Sequence, residues 1–176
     1  MENKTKLFMA FAASLFLCLE ANAATVDSLQ VQGSPTITET DISTIMRIPD
    51  AVVELFHRKG GHILFVSSPL EKRCGADSKV YGLYYYHTKR IYIRNGAEFG
   101  GILAHELGHF LYCETYPSWP ADAREAIRRY GGDDPGEFFA QAYSAFCTYG
   151  TSGLPEADAA AAAANYAAER LFRVAP

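Results

Sequence analysis

No apolar stretch here is long enough to cross a bilayer: the longest, Leu7 to Leu19, has 13 residues, and a helical span needs about 20. Lysine and arginine form no run, and the formal net charge is −4. Nucleic acid and anionic membranes are therefore excluded as principal partners. Cysteine is scarce, at four residues, so packing and not a disulfide framework must hold the fold. No internal repeat is visible. What remains is ordinary for a globular protein, with 49% hydrophobic, 13% aromatic and 20% charged residues in a 176-residue chain. That composition excludes disorder and collagen-like repeats, and the length suits one domain.

The N-terminus reads as an address. Lys4 and Lys6 precede the apolar run, and Glu20 and the small-x-small site Ala21-Asn22-Ala23 follow it. This pattern predicts a signal peptide over 1–23 and a secreted protein, extracellular or periplasmic, with no membrane attachment after cleavage. Bulky Leu17 argues against a lipid anchor on Cys18. Cleavage leaves 153 residues that keep Cys74, Cys113 and Cys147. In an oxidising compartment an odd number predicts one disulfide and one free thiol, with the pairing open.

Residues 24–47, rich in Thr and Ser with little periodicity, read as a loose lead-in to a domain over 48–176. Ile48-Pro49-Asp50 opens a helix that Gly60-Gly61 stops. His62 to Val66 reads as a buried strand, and Val80 to Arg94 as a hairpin with arms rich in tyrosine and isoleucine. From Glu98 onward the pattern is helical, over about 98–114, 121–130, 135–149 and 156–172, with Pro and Gly clusters marking the breaks. The alanines from Ala159 to Ala164 read as a structural buttress. The expected class is α+β, a small N-terminal sheet with helices followed by a helical part, with a cleft between them.

The chemistry concentrates at His105-Glu106-Leu107-Gly108-His109. Histidines four apart stack on one helix face and can share a zinc ion, while the glutamate between them is placed to take a proton from water. Phe99, Leu103, Leu107, Phe110 and Leu111 form a broad apolar face, and both histidines flank it, as expected at a cleft bordering a core. His57, His62 and His87 show no partner spacing.

A catalytic zinc takes three protein ligands and keeps one position open. A third histidine six residues past His109 is missing, since Thr115 stands there. A later carboxylate must serve, and Glu137 heads a helix whose polar stripe is Glu137, Gln141, Ser144 and Thr148. Helix signals alone leave Glu137 open between two roles, because Asp134-Pro135-Gly136-Glu137 also reads as a capping sequence. The unfilled ligand position favours Glu137 as ligand, with Glu125 and the pair Asp133 and Asp134 as fallbacks. Gln141 reads either as a residue orienting a ligating imidazole or as a solvent-facing side chain.

These motifs, with Glu137-Phe138-Phe139-Ala140 behind them, resemble the gluzincin-type zinc peptidases related to anthrax lethal factor, a group that includes small secreted Pro-Pro endopeptidases. The likeness runs from about Ile48 to Gly150. It implies a zincin-like fold and a protein or peptide substrate. It also implies one zinc ion held by His105, His109 and Glu137, with Glu106 as general base. Tyr130, seven residues before Glu137, is by this resemblance the oxyanion donor. The chain departs from the pattern at Gln141, where relatives carry a second acid. The expected activity is that of a secreted zinc endopeptidase whose substrate pairs with the strand at Arg90 to Arg94. The alternative is a zinc-stabilised binding module without catalysis, with Cys113 as fourth ligand; a purely structural protein would bind no metal.

Overall fold

A computed structural model of the chain describes residues 29–174 except 34, 35 and 77. The expected signal peptide lies outside the described residues. In chain order the elements are β1 (Val31–Gln32), α1 (Glu39–Ile45), α2 (Asp50–Arg58), β2 (His62–Val66), α3 (Glu71–Cys74), β3 (Gly82–Tyr85) and β4 (Arg90–Arg94). Then follow α4 (Phe99–Thr115), a 3-10 turn at Tyr116–Ser118, α5 (Ala121–Gly131), α6 (Pro135–Tyr149) and α7 (Pro155–Val174). The mixture is α+β, as expected. The hairpin and the four later helices lie within a residue or two of their predicted bounds. No described helix is long and apolar enough to cross a membrane.

The four strands form one sheet in the order β1-β2-β4-β3. β1 and β2 run parallel, as do β2 and β4, while β3 and β4 are antiparallel. This order corrects one expectation. The arm Arg90 to Arg94 was to offer a free edge, but β4 is paired on both sides and its Ile91, Tyr92 and Ile93 are buried. Three consecutive buried apolar residues mark an interior strand, whereas an edge strand tolerates the half-buried, glycine-containing Gly82-Leu83-Tyr84-Tyr85. The outer strands are therefore β1 and β3, and β3 is the one that packs beside α4.

The segment taken as a loose lead-in is also corrected. Its described part is folded: β1 joins the sheet, and Leu29 and Ile45 are buried in the core. Helix α1 begins with a reciprocal cap, Thr38 Oγ1 accepting from the Asp41 amide and the Asp41 carboxylate accepting from the Thr38 amide at 2.8 Å. The sequence signal, Thr followed three residues later by an acid, was present but lay in a stretch without hydrophobic periodicity. Asp41, 2% exposed, reaches further and accepts from the Gly100 amide at 2.6 Å. A carboxylate from the first helix thus satisfies an otherwise unpaired donor at the start of α4 and complements its dipole.

Helix α4 is the centre of the molecule. Phe99, Leu103, Leu107, Phe110 and Leu111 are all buried, as the 3.6-residue period requires. Ala104, Gly100 and Gly108 are buried too, so the helix is enclosed on more than one side. Glycine costs a helix about 1 kcal/mol relative to alanine, and two of the three in α4 mark places where another backbone comes close. A Cβ at Gly100 would stand 2.8 Å from the Cα of Asp41, and one at Gly108 would stand 2.7 Å from the Cα of Ala140 on α6. Against this frame pack α1, β3, β4, α6 and α7. In α7, Ala157, Ala160, Ala161, Ala164, Ala167 and Ala168 are buried, the stripe expected of a buttress.

The expected disulfide does not form. Cys74, Cys113 and Cys147 are all free, the first two exposed and the third buried in α6. They stand on three separate elements, α3, α4 and α6, and burial pushes the Cys147 thiol up to about 12. Its neighbour in the core is Tyr143, so Cys147 packs as a small apolar residue.

Candidate metal centre

The motif histidines occupy adjacent turns of α4, with side chains 18% and 26% exposed. Their Nε2 atoms are 3.2 Å apart. Glu137 comes to them from α6. Its Oε1 is 3.3 Å from His105 Nε2 and its Oε2 is 3.2 Å from His109 Nε2. Zinc bonds of about 2.0–2.1 Å at tetrahedral angles put neighbouring ligand atoms about 3.3 Å apart. The spacing of this donor set therefore fits a zinc ion, and one ligand atom from each residue falls within 4.8 Å of the others.

The protonation states fit as well. Burial lowers both histidines below their ordinary value; the Glu137 charge pulls the other way without cancelling it. Neutral imidazole is the ligating form, so at neutral pH both rings are ready to bind.

Two local features bring Glu137 to this point. The first is the start of α6. Asp134 Oδ1 accepts from the Glu137 amide at 2.9 Å, so Asp134 caps the helix, while the Glu137 carboxylate faces the imidazoles. The cap hydrogen bond is made by the Asp134 side chain, and the Glu137 side chain stands apart from it beside the imidazoles. The second is the close approach of Gly108 to Ala140, one helical turn after Glu137. A further crossing bond, Ser144 Oγ to the Gly101 carbonyl at 2.7 Å, holds the same two helices at the other end of the polar stripe.

The Glu106 carboxylate lies against Gly82 of β3. The residue is 4% exposed. A Cβ on Gly82 would overlap its carboxylate and the Ile102 side chain, so the glycine leaves room for both. Burial first, then the Glu137 charge, push the Glu106 carboxyl up to about 8, against a hydrogen bond from the Tyr84 backbone that stabilises the anion. A nearby dication would oppose both causes of the rise.

Beside His105 and Glu106 opens a cavity of about 380 Å³, walled by Tyr81 and Gly82 next to the sheet edge, Ile102 on α4, and Gln141 and Ser144 on α6. The polar stripe of α6 thus faces a cleft, as its composition implied. Gln141 lines that cleft and is exposed.

Other expected residues fall elsewhere. Tyr130, at the end of α5, is 41% exposed and stacks on Phe138, the residue after Glu137; it does not line the cavity. Glu125 is paired with Arg128 at 2.9 Å on the solvent side of α5, and Asp133 is exposed. Cys113 lies one turn past His109, but among the described residues only His105, His109 and Glu137 form the ligand group, so a closed four-ligand site is not assembled. His57 bonds to the Gly61 carbonyl at 3.2 Å, and His62 and His87 are exposed. Sequence reasoning missed Gly82 and Tyr84, which cradle Glu106 from the sheet edge. Their only signal was that they precede the helix on a predicted hairpin. The chain matches no known family model and no curated protein.

Proposed function

We propose that the chain is a secreted zinc-dependent endopeptidase with a zincin-like fold of the gluzincin type. The observation that carries this reading is the convergence of two neutral imidazoles and one carboxylate at tetrahedral spacing, with a buried glutamate beside them and an open cleft alongside. Secretion rests on the N-terminal 23 residues, and the gluzincin type on the resemblance.

A zinc ion held by His105, His109 and Glu137 would polarise the scissile carbonyl and lower the pKa of a water molecule to about 7. Glu106 takes the proton of the attacking water and returns it to the leaving amine. Its place suits that work, because it is buried next to His105 in the wall of the cleft. Tyr130 is assigned to the oxyanion on the strength of the resemblance and its place beside Phe138.

The free edge of β3 gives a peptide substrate its backbone partners. The Arg94 amide donates to the Tyr81 carbonyl at 2.8 Å, and the register pairs Gly82 with Ile93 and Tyr84 with Ile91. In an antiparallel ladder the hydrogen-bonding direction alternates, so the backbone groups of Gly82 and Tyr84 point outward, the Tyr84 amide toward Glu106 and the Gly82 amide and both carbonyls toward a peptide. An extended peptide adding there lies across Glu106.

The test is metal analysis and peptide cleavage on untagged protein. About one zinc per chain is expected, with hydrolysis lost on chelation. Glu106→Ala should keep the zinc and lose about 10²–10⁴ of the rate. Protein that binds no zinc, or a Glu106→Ala variant of full activity, overturns the reading.

A further inference from the structure

We infer that the cavity beside the candidate centre selects substrates carrying lysine or arginine at a residue adjoining the cleaved bond; the inference rests on the peptidase reading. His105 and Glu106 form part of the cavity wall. A side chain that enters it therefore comes from a residue next to the bond on which those two groups act.

Size and surface narrow the choice. At about 380 Å³ the cavity takes a long side chain. Gly82 and Gly101 add no bulk to its walls, and Ile102 and Ala145 supply an apolar flank for a methylene stem. The exposed members Glu98, Tyr81 and Tyr149 form its rim.

Charge narrows it further. The lining contains two acids, Glu98 and Glu106, and neither lysine nor arginine. A dication at the ligand group would balance Glu106 and Glu137, which leaves Glu98 as the one acid of the lining not balanced by it. A cation on a flexible aliphatic stem matches this arrangement, with its stem along the apolar flank and its head at Glu98. Tyr81 already accepts such a group, for Lys79 Nζ stands 4.9 Å over its ring from outside the cavity lining. An acidic side chain at the same place meets repulsion, and a short one leaves Glu98 without a partner.

The experiment is cleavage of a defined peptide library by the zinc-loaded protein, read by mass spectrometry, followed by kinetics on matched peptides that differ only in lysine against norleucine. Lysine and arginine should be enriched at one position adjoining the cleaved bond, with kcat/KM about fivefold higher for lysine than for norleucine. Glu98→Gln should bring that ratio close to one, and Glu98→Lys should invert it. The Glu98 side chain makes no capping hydrogen bond to α4, and the zinc content of each variant reports whether it is folded. Cleavage without basic preference, or a preference that survives both substitutions, overturns the inference and leaves the peptidase reading standing. A zinc-loaded protein that cleaves nothing in the library overturns both.

Discussion

Gly108 offers the sharpest test of how the candidate centre is assembled. It is the variable residue next to the second histidine in His-Glu-x-x-His, and a side chain there changes no ligand. Yet its missing Cβ is what lets α4 and α6 touch: an alanine would put a carbon 2.7 Å from the Ala140 Cα and 3.3 Å from the Ala140 carbonyl oxygen. Both are backbone atoms, so no rotamer relieves the overlap, and the helices must separate by about 1 Å to reach ordinary van der Waals distance. Glu137 rides on α6 one turn before Ala140. Its oxygens, now 3.2 and 3.3 Å from the imidazole nitrogens, would recede toward 4 Å, beyond the span that bonds of about 2 Å can bridge.

The consequences for stability and for function differ. Overpacking costs about 1–3 kcal/mol, while alanine in place of glycine in a helix returns about 1 kcal/mol. Gly108→Ala should therefore lower stability in chelator by about 0–2 kcal/mol and leave the fold intact. Zinc affinity and kcat/KM should fall about a hundredfold, since misplacement by 1 Å is enough for that loss. Competition with a chromophoric chelator measures the affinity, and urea unfolding of the apo protein measures the stability. A Gly108→Ala variant that binds zinc as tightly as the parent would refute the claim that this helix contact sets the third ligand.

Three further expectations concern other parts of the structure. Gly82→Ala should push the Glu106 carboxylate out of its cradle, lowering kcat at least tenfold with zinc content unchanged; an unaltered kcat would show that the β3 edge does not position the base. Tyr130→Phe should cost about 10²–10³ in kcat if the hydroxyl serves the oxyanion, and a loss under twofold removes it from the mechanism. Glu114 ties α4 to Lys59 at 3.3 Å and to Lys89; burial raises its pKa, but the two lysines outweigh that and hold the carboxyl below its ordinary value of 4.5. A depressed carboxylate stabilises the fold above the unfolded pKa and loses that contribution as pH falls through the folded value. Urea midpoints in chelator should drop below about pH 4.5 for the parent and less steeply for Glu114→Gln; equal slopes would contradict the assignment.

Much of this architecture could be read from the chain. The two motif histidines, the flanking apolar face and the polar stripe of α6 follow from helical period alone, because i and i+4 are neighbours whatever the helix packs against. Strand positions on the hairpin were equally readable. Which strand ends at the open edge was not, since hydrophobic alternation specifies burial and not the identity of the lateral neighbour; β1 and β2 took that side of β4. The lead-in hid a strand and a capped helix because a two-residue strand carries no period at all. Free cysteines were unpredictable for a similar reason: pairing is decided by distance, and Cys74, Cys113 and Cys147 are separated by the way α3, α4 and α6 are laid down.

The sequence by itself determined that two imidazoles and the glutamate between them stand on adjacent turns of one helix. Only the tertiary structure decided that the Glu137 carboxylate stands beside both imidazoles. Its residue type and its place at the head of α6 suited cap and ligand equally, and where its carboxylate stands follows from how near α6 approaches α4 at Gly108. The same holds for Glu106. A glutamate within the motif is given by the chain, but the burial that shifts it, and the strand edge that holds it, come from elements brought together across the fold.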